Sequence, residues 1–369
     1  MSVAQGDRLQ SVVHGAVLAL IVGWVLYVGK QVFVPMVFGV LVAYVIIGLA
    51  RALTALPLVG RWLPAPLRYL LSILGIGVVV AAGVSLVVNN FGRVVQLAPT
   101  YQDTLLQRIQ QGAEFFGLRA APTWTALRED FLAQVRLQDL IGSTVVSVTG
   151  VGMTVLIVLL YVTFLLLEKR VFPAKLRSLS DDPRDVSRIH QVLDSINSRT
   201  GQYLSVKTLV NVLLGVVSWA MMAPFGLEFA GFWAVLIAVL NYVPYIGSFL
   251  GVLFPVAWAI VQFGDPGTVI TLLLLLASAQ FVIGNFLDPY LMGNSLNLSP
   301  FVILASLLTW GGLWGIPGAF LAVPITAVLA IVLSEFPGTR PIAVLMSRNG
   351  RLDGRRGGPR GRAPAGPPA

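Results

Sequence analysis

From Thr208 to Thr339 the chain carries no Lys and no Arg, and the same stretch holds only four acids, Glu228, Asp265, Asp288 and Glu335. A soluble domain needs charge over its surface and has nowhere to hide so long an uncharged run of Leu, Val and Phe. A lipid bilayer demands such a run, because a charge at its centre costs about 2.5–3.5 kcal/mol even on the most lenient scale. The chain is therefore expected to be all-α, a polytopic helical transmembrane protein. About eight membrane segments fit its length, with broken or re-entrant helices in the C-terminal half.

Composition narrows the chemistry. Charged residues make up 11% of the chain, against about 25% in a soluble domain. The absence of cysteine excludes disulfides, cysteine nucleophiles and thiolate metal sites. The two histidines, His14 and His190, stand far apart in sequence, so no metal site is expected on them, and no cofactor is expected. No HExxH, no GxSxG and no phosphate-binding glycine loop occurs. An enzyme would need paired carboxylates or a carboxylate–histidine set at the membrane surface, so the chain reads as a non-enzyme.

The apolar runs divide the chain. Residues 1–90 hold three spans, Ser11–Gly29, Gln31–Ala50 and Leu67–Asn89, the first two joined by a tight turn at Lys30. The first run lacks a small-residue cleavage site and reads as a retained span, not a signal peptide. Residues 91–143 form an extracytoplasmic helical insert, with Leu105, Ile109 and Phe116 near helical spacing, then Pro122 and a second face of Trp124, Leu127, Phe131 and Val135. Residues 144–167 are a fourth span. Residues 168–200 form a cytoplasmic amphipathic insert that starts a helix at Asp181-Asp182-Pro183. Residues 201–335 form a half with broken helices, and 336–369 a disordered basic tail.

Orientation follows from counting cations. With the N-terminus inside, the cytoplasmic segments collect 19 Lys and Arg and the outer ones 6, which places both termini in the cytoplasm. The net charge of +9 owes much to six arginines between Arg348 and Arg362. These read as a positive-inside anchor against anionic lipid, and no nucleic-acid partner is expected.

Two Gly/Pro clusters interrupt the charge-free half. One runs from Leu240-Asn241-Tyr242-Val243-Pro244-Tyr245-Ile246-Gly247 to Gly251 and Pro255. The other runs from Trp310-Gly311-Gly312 through Pro317 and Gly318 to Pro324. Non-helical backbone survives at bilayer depth only where it is buried in protein or lines a cavity. A pair of such interrupted segments points to a solute-binding site; the alternative is that the prolines only kink helices for packing. Between the clusters, Gln280, Gly284 and Asp288 share a helical face, with Asn285 beside them and Pro289 following. An acid within the membrane is a cation ligand or proton carrier by default. The other reading places Asp288 at the water interface, where Pro289 ends the helix. Asn211, alone in its span, reads as glue between helices.

Thr200-Gly201-Gln202-Tyr203-Leu204, the Asn241-to-Gly247 cluster with Phe249-Leu250-Gly251, Gly284-Asn285-Phe286-Leu287-Asp288-Pro289 with Leu291-Met292-Gly293, and Leu321-Ala322-Val323-Pro324 together resemble the autoinducer-2 exporter family of bacterial permeases. The resemblance covers nearly the whole chain, from Ser11 to Leu333. It implies a multi-pass transporter of the bacterial inner membrane, working as a homo-oligomer, with a pentamer among the implied states. It implies elevator-like motion of the C-terminal half and export of autoinducer-2, with sodium/proton antiport in some members. The site residues expected from residues and resemblance together are Gln202, Asn241, Pro244, Gly247, Gln280, Asn285, Asp288, Pro289, Pro317 and Pro324. The chain departs from the family pattern at Ile283, where members often carry an acid, and at Tyr290, where they often carry Arg or Lys. Three expectations stand: an alternating-access exporter of a small solute, a sodium/proton antiporter with Asp288 as carrier, and a non-transporting membrane scaffold.

Overall fold

The computed structural model describes residues 3–55, 63–64, 66–78, 80–83, 85–86, 90, 93, 137–168, 171–178, 182–292 and 297–350. The helical stretches expected around Leu105 to Val135, and the tail beyond Gly350, lie outside the described residues.

The described chain is helical, and its only strand-like contact is an isolated bridge between Leu298 and Ser347. In chain order the helices are α1 (Val3–Val28), α2 (Lys30–Ala55), α3 (Pro66–Gly83), α4 (Leu137–Glu168), α5 (Phe172–Arg177), α6 (Pro183–Met222), α7 (Ala230–Leu240), α8 (Ile246–Phe263), α9 (Pro266–Val282), α10 (Asp288–Met292), α11 (Pro300–Trp314), α12 (Ile316–Glu335) and α13 (Arg340–Met346). Among them six are long and apolar enough to cross a bilayer, within α2, α3, α6, α8, α9–α10 and α12. The protein is a polytopic helical membrane protein.

Two boundaries differ from the sequence reading. The joint between the first two runs lies at Gly29, and Lys30 opens α2. The Gly29 N–H donates to the Val25 carbonyl at 2.8 Å, and the Phe33 N–H to the Gly29 carbonyl at 3.0 Å. Helical pairing thus carries through the joint, and α1 does not fold back along α2 as a tight turn would require. The expected cytoplasmic insert from Pro183 onward and the fifth span are likewise one helix. α6 runs 40 residues, roughly 60 Å at 1.5 Å per residue, twice the hydrocarbon thickness. Asp182 caps it by accepting from the Arg184 N–H at 2.8 Å, with Pro183 in the first turn.

α6 is the axis of the bundle. One side packs Val210, Leu214 and Met222 against Phe232, Trp233 and Ile237 of α7, Val256 and Trp258 of α8, and Leu272 and Leu276 of α9. Another side packs Tyr203 and Leu204 against Val323 and Ala327 of α12, with Leu41, Tyr44 and Val45 of α2 alongside. In lipid these side chains gain nothing from leaving water, so dispersion packing and interhelical hydrogen bonds hold the bundle.

Both Gly/Pro clusters are tips of helical hairpins. α7 has 11 residues and α11 has 15, roughly 16 and 22 Å long, too short to cross a core of about 30 Å. The returning arms α8 and α12, of 18 and 20 residues, are full length. Each tip is closed by a buried glycine. A Cβ on Gly247 would stand 1.8 Å from the Leu240 carbonyl oxygen, and one on Gly318 would stand 1.9 Å from that of Trp310. Only a glycine lets backbone meet backbone at these two points.

Candidate functional site

A line of polar groups runs along one face of α6. Tyr203, Lys207 and Asn211 recur at i, i+4 and i+8, and all three are buried. Lys207 Nζ lies 2.8 Å from Asp288 Oδ2, with side chains 9% and 17% exposed. One turn further along, the Asn241 Nδ2 donates to Asn211 Oδ1 at 2.8 Å, and the Ser248 hydroxyl donates to Asn241 Oδ1 at 3.3 Å. Thr208 donates its hydroxyl proton to the Leu204 carbonyl, so at 2.7 Å it accepts from the Tyr242 phenol. The first hairpin tip is thus pinned to α6 by Asn241 and Tyr242.

The tip itself is strained. The Ile246 N–H reaches back to the Pro244 carbonyl at 2.7 Å, closing a three-residue turn around Tyr245, whose φ is 62° and ψ −58°. That conformation is rare for a residue with a side chain. The second tip avoids the strain by placing Gly315 at φ 67° and ψ −146°. The two tips belong to one seam. Val243 is buried against Leu307 and Ala322, with Trp310 and Ala319 around it, and the Tyr242 ring lies 6.3 Å from that of Phe320.

Asp288 owes its place to a wide turn. Residues Ile283–Leu287 form a π-helical turn, and the Asp288 N–H donates to the Ile283 carbonyl five residues back. Such turns insert an extra residue into a helix and occur often at functional sites. Here the turn breaks the expected common face of Gln280, Gly284 and Asp288. Gln280 lies against Gly251 of α8, Gly284 is exposed to open space, and Asp288 swings to α6. Pro289 does not end the helix; it sits in the first turn of α10, which continues to Met292.

The expected site residues fall into two groups. Asn241, Pro244, Gly247 and Asp288 gather along α6 and the first tip, with Gln280 packed behind them on α8. Gln202, Asn285, Pro289 and Pro317 are exposed, and Asn285 donates to the Phe281 carbonyl of its own helix at 3.0 Å. Pro324 is buried within α12, in the packing of the second hairpin. Three polar atoms close to this line are buried without a hydrogen-bonding partner: Asn211 Nδ2, Gln280 Nε2 and Asp288 Oδ1. Among the described residues no group of three or more His, Cys, Asp and Glu gathers to hold a metal ion.

Sequence reasoning missed Lys207, Thr208 and Tyr242. Lys207 is the last cation before the stretch that carries none. A lone acid within a bilayer requires a partner, and Lys207 shares a helix face with Tyr203 and Asn211, which was the available signal.

A membrane helix bundle with paired discontinuous hairpins over a buried ion pair defines a class of solute-moving membrane proteins. Comparison with known proteins gives the family: residues 16–338 match the AI-2E family transporter, and the chain belongs to that family. It is 30% identical to the putative transport protein YhhT of Escherichia coli over 73% of this chain and 76% of the relative. It is 36% identical to the AI-2 transport protein TqsA of Escherichia coli over 53% of this chain and 55% of that protein. It is 34% identical to a putative transport protein of Borreliella burgdorferi over 54% of this chain and 55% of the relative. The matched region thus spans about half the length of the latter two proteins.

Proposed function

We propose that this transporter carries a small polar solute across the bacterial inner membrane by alternating access, with both termini in the cytoplasm. The half from 201 to 335 moves against α1–α4 in an elevator-like stroke, in a homo-oligomer. The observation that carries this reading is the buried polar line from Lys207–Asp288 to Asn211–Asn241, capped by a strained hairpin tip in a stretch otherwise free of cations. Polar groups at that depth are expensive and mark solute paths, and broken helices offer free backbone groups beside them. The seam where Val243 wedges between Leu307 and Ala322 is the surface that parts when the site opens.

Autoinducer-2 is the first solute to test, in the direction of export, since one relative bears that solute in its name. The test is efflux from proteoliposomes holding purified protein, with labelled autoinducer-2 and a pH-sensitive dye followed together, with and without a sodium gradient. Autoinducer-2 movement without a sodium-linked proton signal supports the reading. A sodium-linked proton signal alone makes the protein an antiporter instead. Within the exporter reading, Asn241→Ser lowers flux while expression and assembly survive, and normal flux in that variant removes Asn241 from the site.

A further inference from the structure

Among the described residues Lys207 is the one buried Lys or Arg, and it adjoins a stretch from Thr208 to Thr339 that carries no other cation. The ammonium has three N–H donors, and among the described residues its one hydrogen bond goes to Asp288 Oδ2. The other carboxylate oxygen, Oδ1, is buried without a partner. A purely structural buried ion pair is sustained by further hydrogen bonds that satisfy both groups; this pair leaves spare donors on one member and a spare acceptor on the other. It also joins two different elements, the axial helix α6 and the π-turn exit into α10, 81 residues apart. Its position one turn from the Asn211–Asn241 bond places it on the same face as the first hairpin tip.

We propose that Lys207 is the charge-selecting residue of this site. By neutralising Asp288 it gives the path a buried pair with no net charge but with hydrogen-bonding capacity of both kinds, so the path takes uncharged polar solutes and rejects small cations. A cation entering it meets the Lys207 ammonium already in place on the carboxylate, and an anion meets Asp288 already on the ammonium. Specificity here is repulsion by the occupying partner as much as attraction for the solute. The inference rests on the transporter reading and names the solute class of the same site.

The probes are wild type, Lys207→Met, Asp288→Asn and the double variant Lys207→Met/Asp288→Asn, each read two ways. Purified protein is melted against rising methylammonium chloride, which carries the lysine headgroup, with choline chloride at equal ionic strength as the control. Proteoliposomes are then assayed for uptake of labelled methylammonium and of a labelled uncharged solute. Lys207→Met should show a saturable rise in melting temperature specific to methylammonium, because a ligand that binds only the folded state stabilises it. Its methylammonium uptake should exceed wild type at least tenfold. Wild type, Asp288→Asn and the double variant should show neither.

A saturable methylammonium effect on wild type, or a Lys207→Met that behaves as the double variant, overturns the proposal. If Lys207→Met does not fold, Lys207→Gln, which also removes the charge and keeps a donor, takes its place: it should acquire the same methylammonium-specific rise in melting temperature, and its absence overturns the proposal. Acquired methylammonium stabilisation in the double variant also overturns the proposal. Failure of the transport reading leaves no solute flux in wild type, but the melting series still separates Lys207→Met from the rest.

Discussion

The hairpin glycines offer the sharpest test of how these tips are built. In Gly247→Ala the new Cβ would stand 1.8 Å from the Leu240 oxygen, 2.5 Å from its carbonyl carbon and 3.1 Å from the Asn241 nitrogen, where ordinary contact begins at 3.4 Å. All three neighbours are backbone, so no rotamer relieves the clash, and the arms of the first hairpin must part. Overpacking of this kind costs about 1–3 kcal/mol. The parting also pulls Asn241 from Asn211, adding about 1 kcal/mol for a lost hydrogen bond. Together these come to roughly 2–4 kcal/mol. Gly318→Ala should repeat the effect at the second tip, where Trp310 supplies the carbonyl. Gly312→Ala is the control, since nothing lies within 4 Å of its added Cβ. The assay is thermal unfolding of detergent-purified protein followed by tryptophan fluorescence, with flux in proteoliposomes beside it. A Gly247→Ala protein that melts with wild type would refute the backbone-on-backbone account of the tip.

Asn211→Ala and Asn241→Ala each leave a buried amide unpaired and should each cost about 1–3 kcal/mol; the double variant should lose less than the sum, since the two share one bond. Additive losses in a melting series would deny their coupling. Asp265 caps α9 by accepting from the Thr268 N–H and hydroxyl at 2.8 and 2.9 Å, and these bonds hold its carboxyl below its ordinary range. Its contribution is therefore complete above the ordinary carboxylate value and lost as pH falls through the lowered one. Asp265→Ala should melt below wild type at neutral pH, with the gap closing in acid; a gap that widens in acid would contradict the assignment.

Much of this architecture was legible because lipid leaves the sequence little choice. A run from Thr208 to Thr339 without Lys or Arg has only one solvent in which to fold. Gly and Pro punctuation likewise marked both hairpin tips, because backbone at depth must be packed or satisfied. Other features were not legible. The π-turn at Ile283–Leu287 carries no composition signal, so the register of Gln280 and Asp288 was carried straight through it. The partner of Asp288 lies 81 residues away, and only the packing of α10 on α6 brings Lys207 to it. The joint at Gly29 was missed because a charged residue between two apolar runs reads as a turn, whereas the backbone pairs helically across it. Asn285, one residue of the family-like motif, is exposed and bonded to its own helix.

The central claim is that the two hairpins part at a common seam when solute passes. The natural chain has no cysteine, so Val243→Cys/Ala322→Cys places the only two thiols in the protein at the buried contact between the tips. Solute flux through reconstituted protein is then measured before bridging, after bridging with mercuric ion, and after release by excess thiol. The account predicts that flux stops on bridging and returns on release, while either single cysteine is unaffected. Flux that continues unchanged through a fully bridged seam would contradict it.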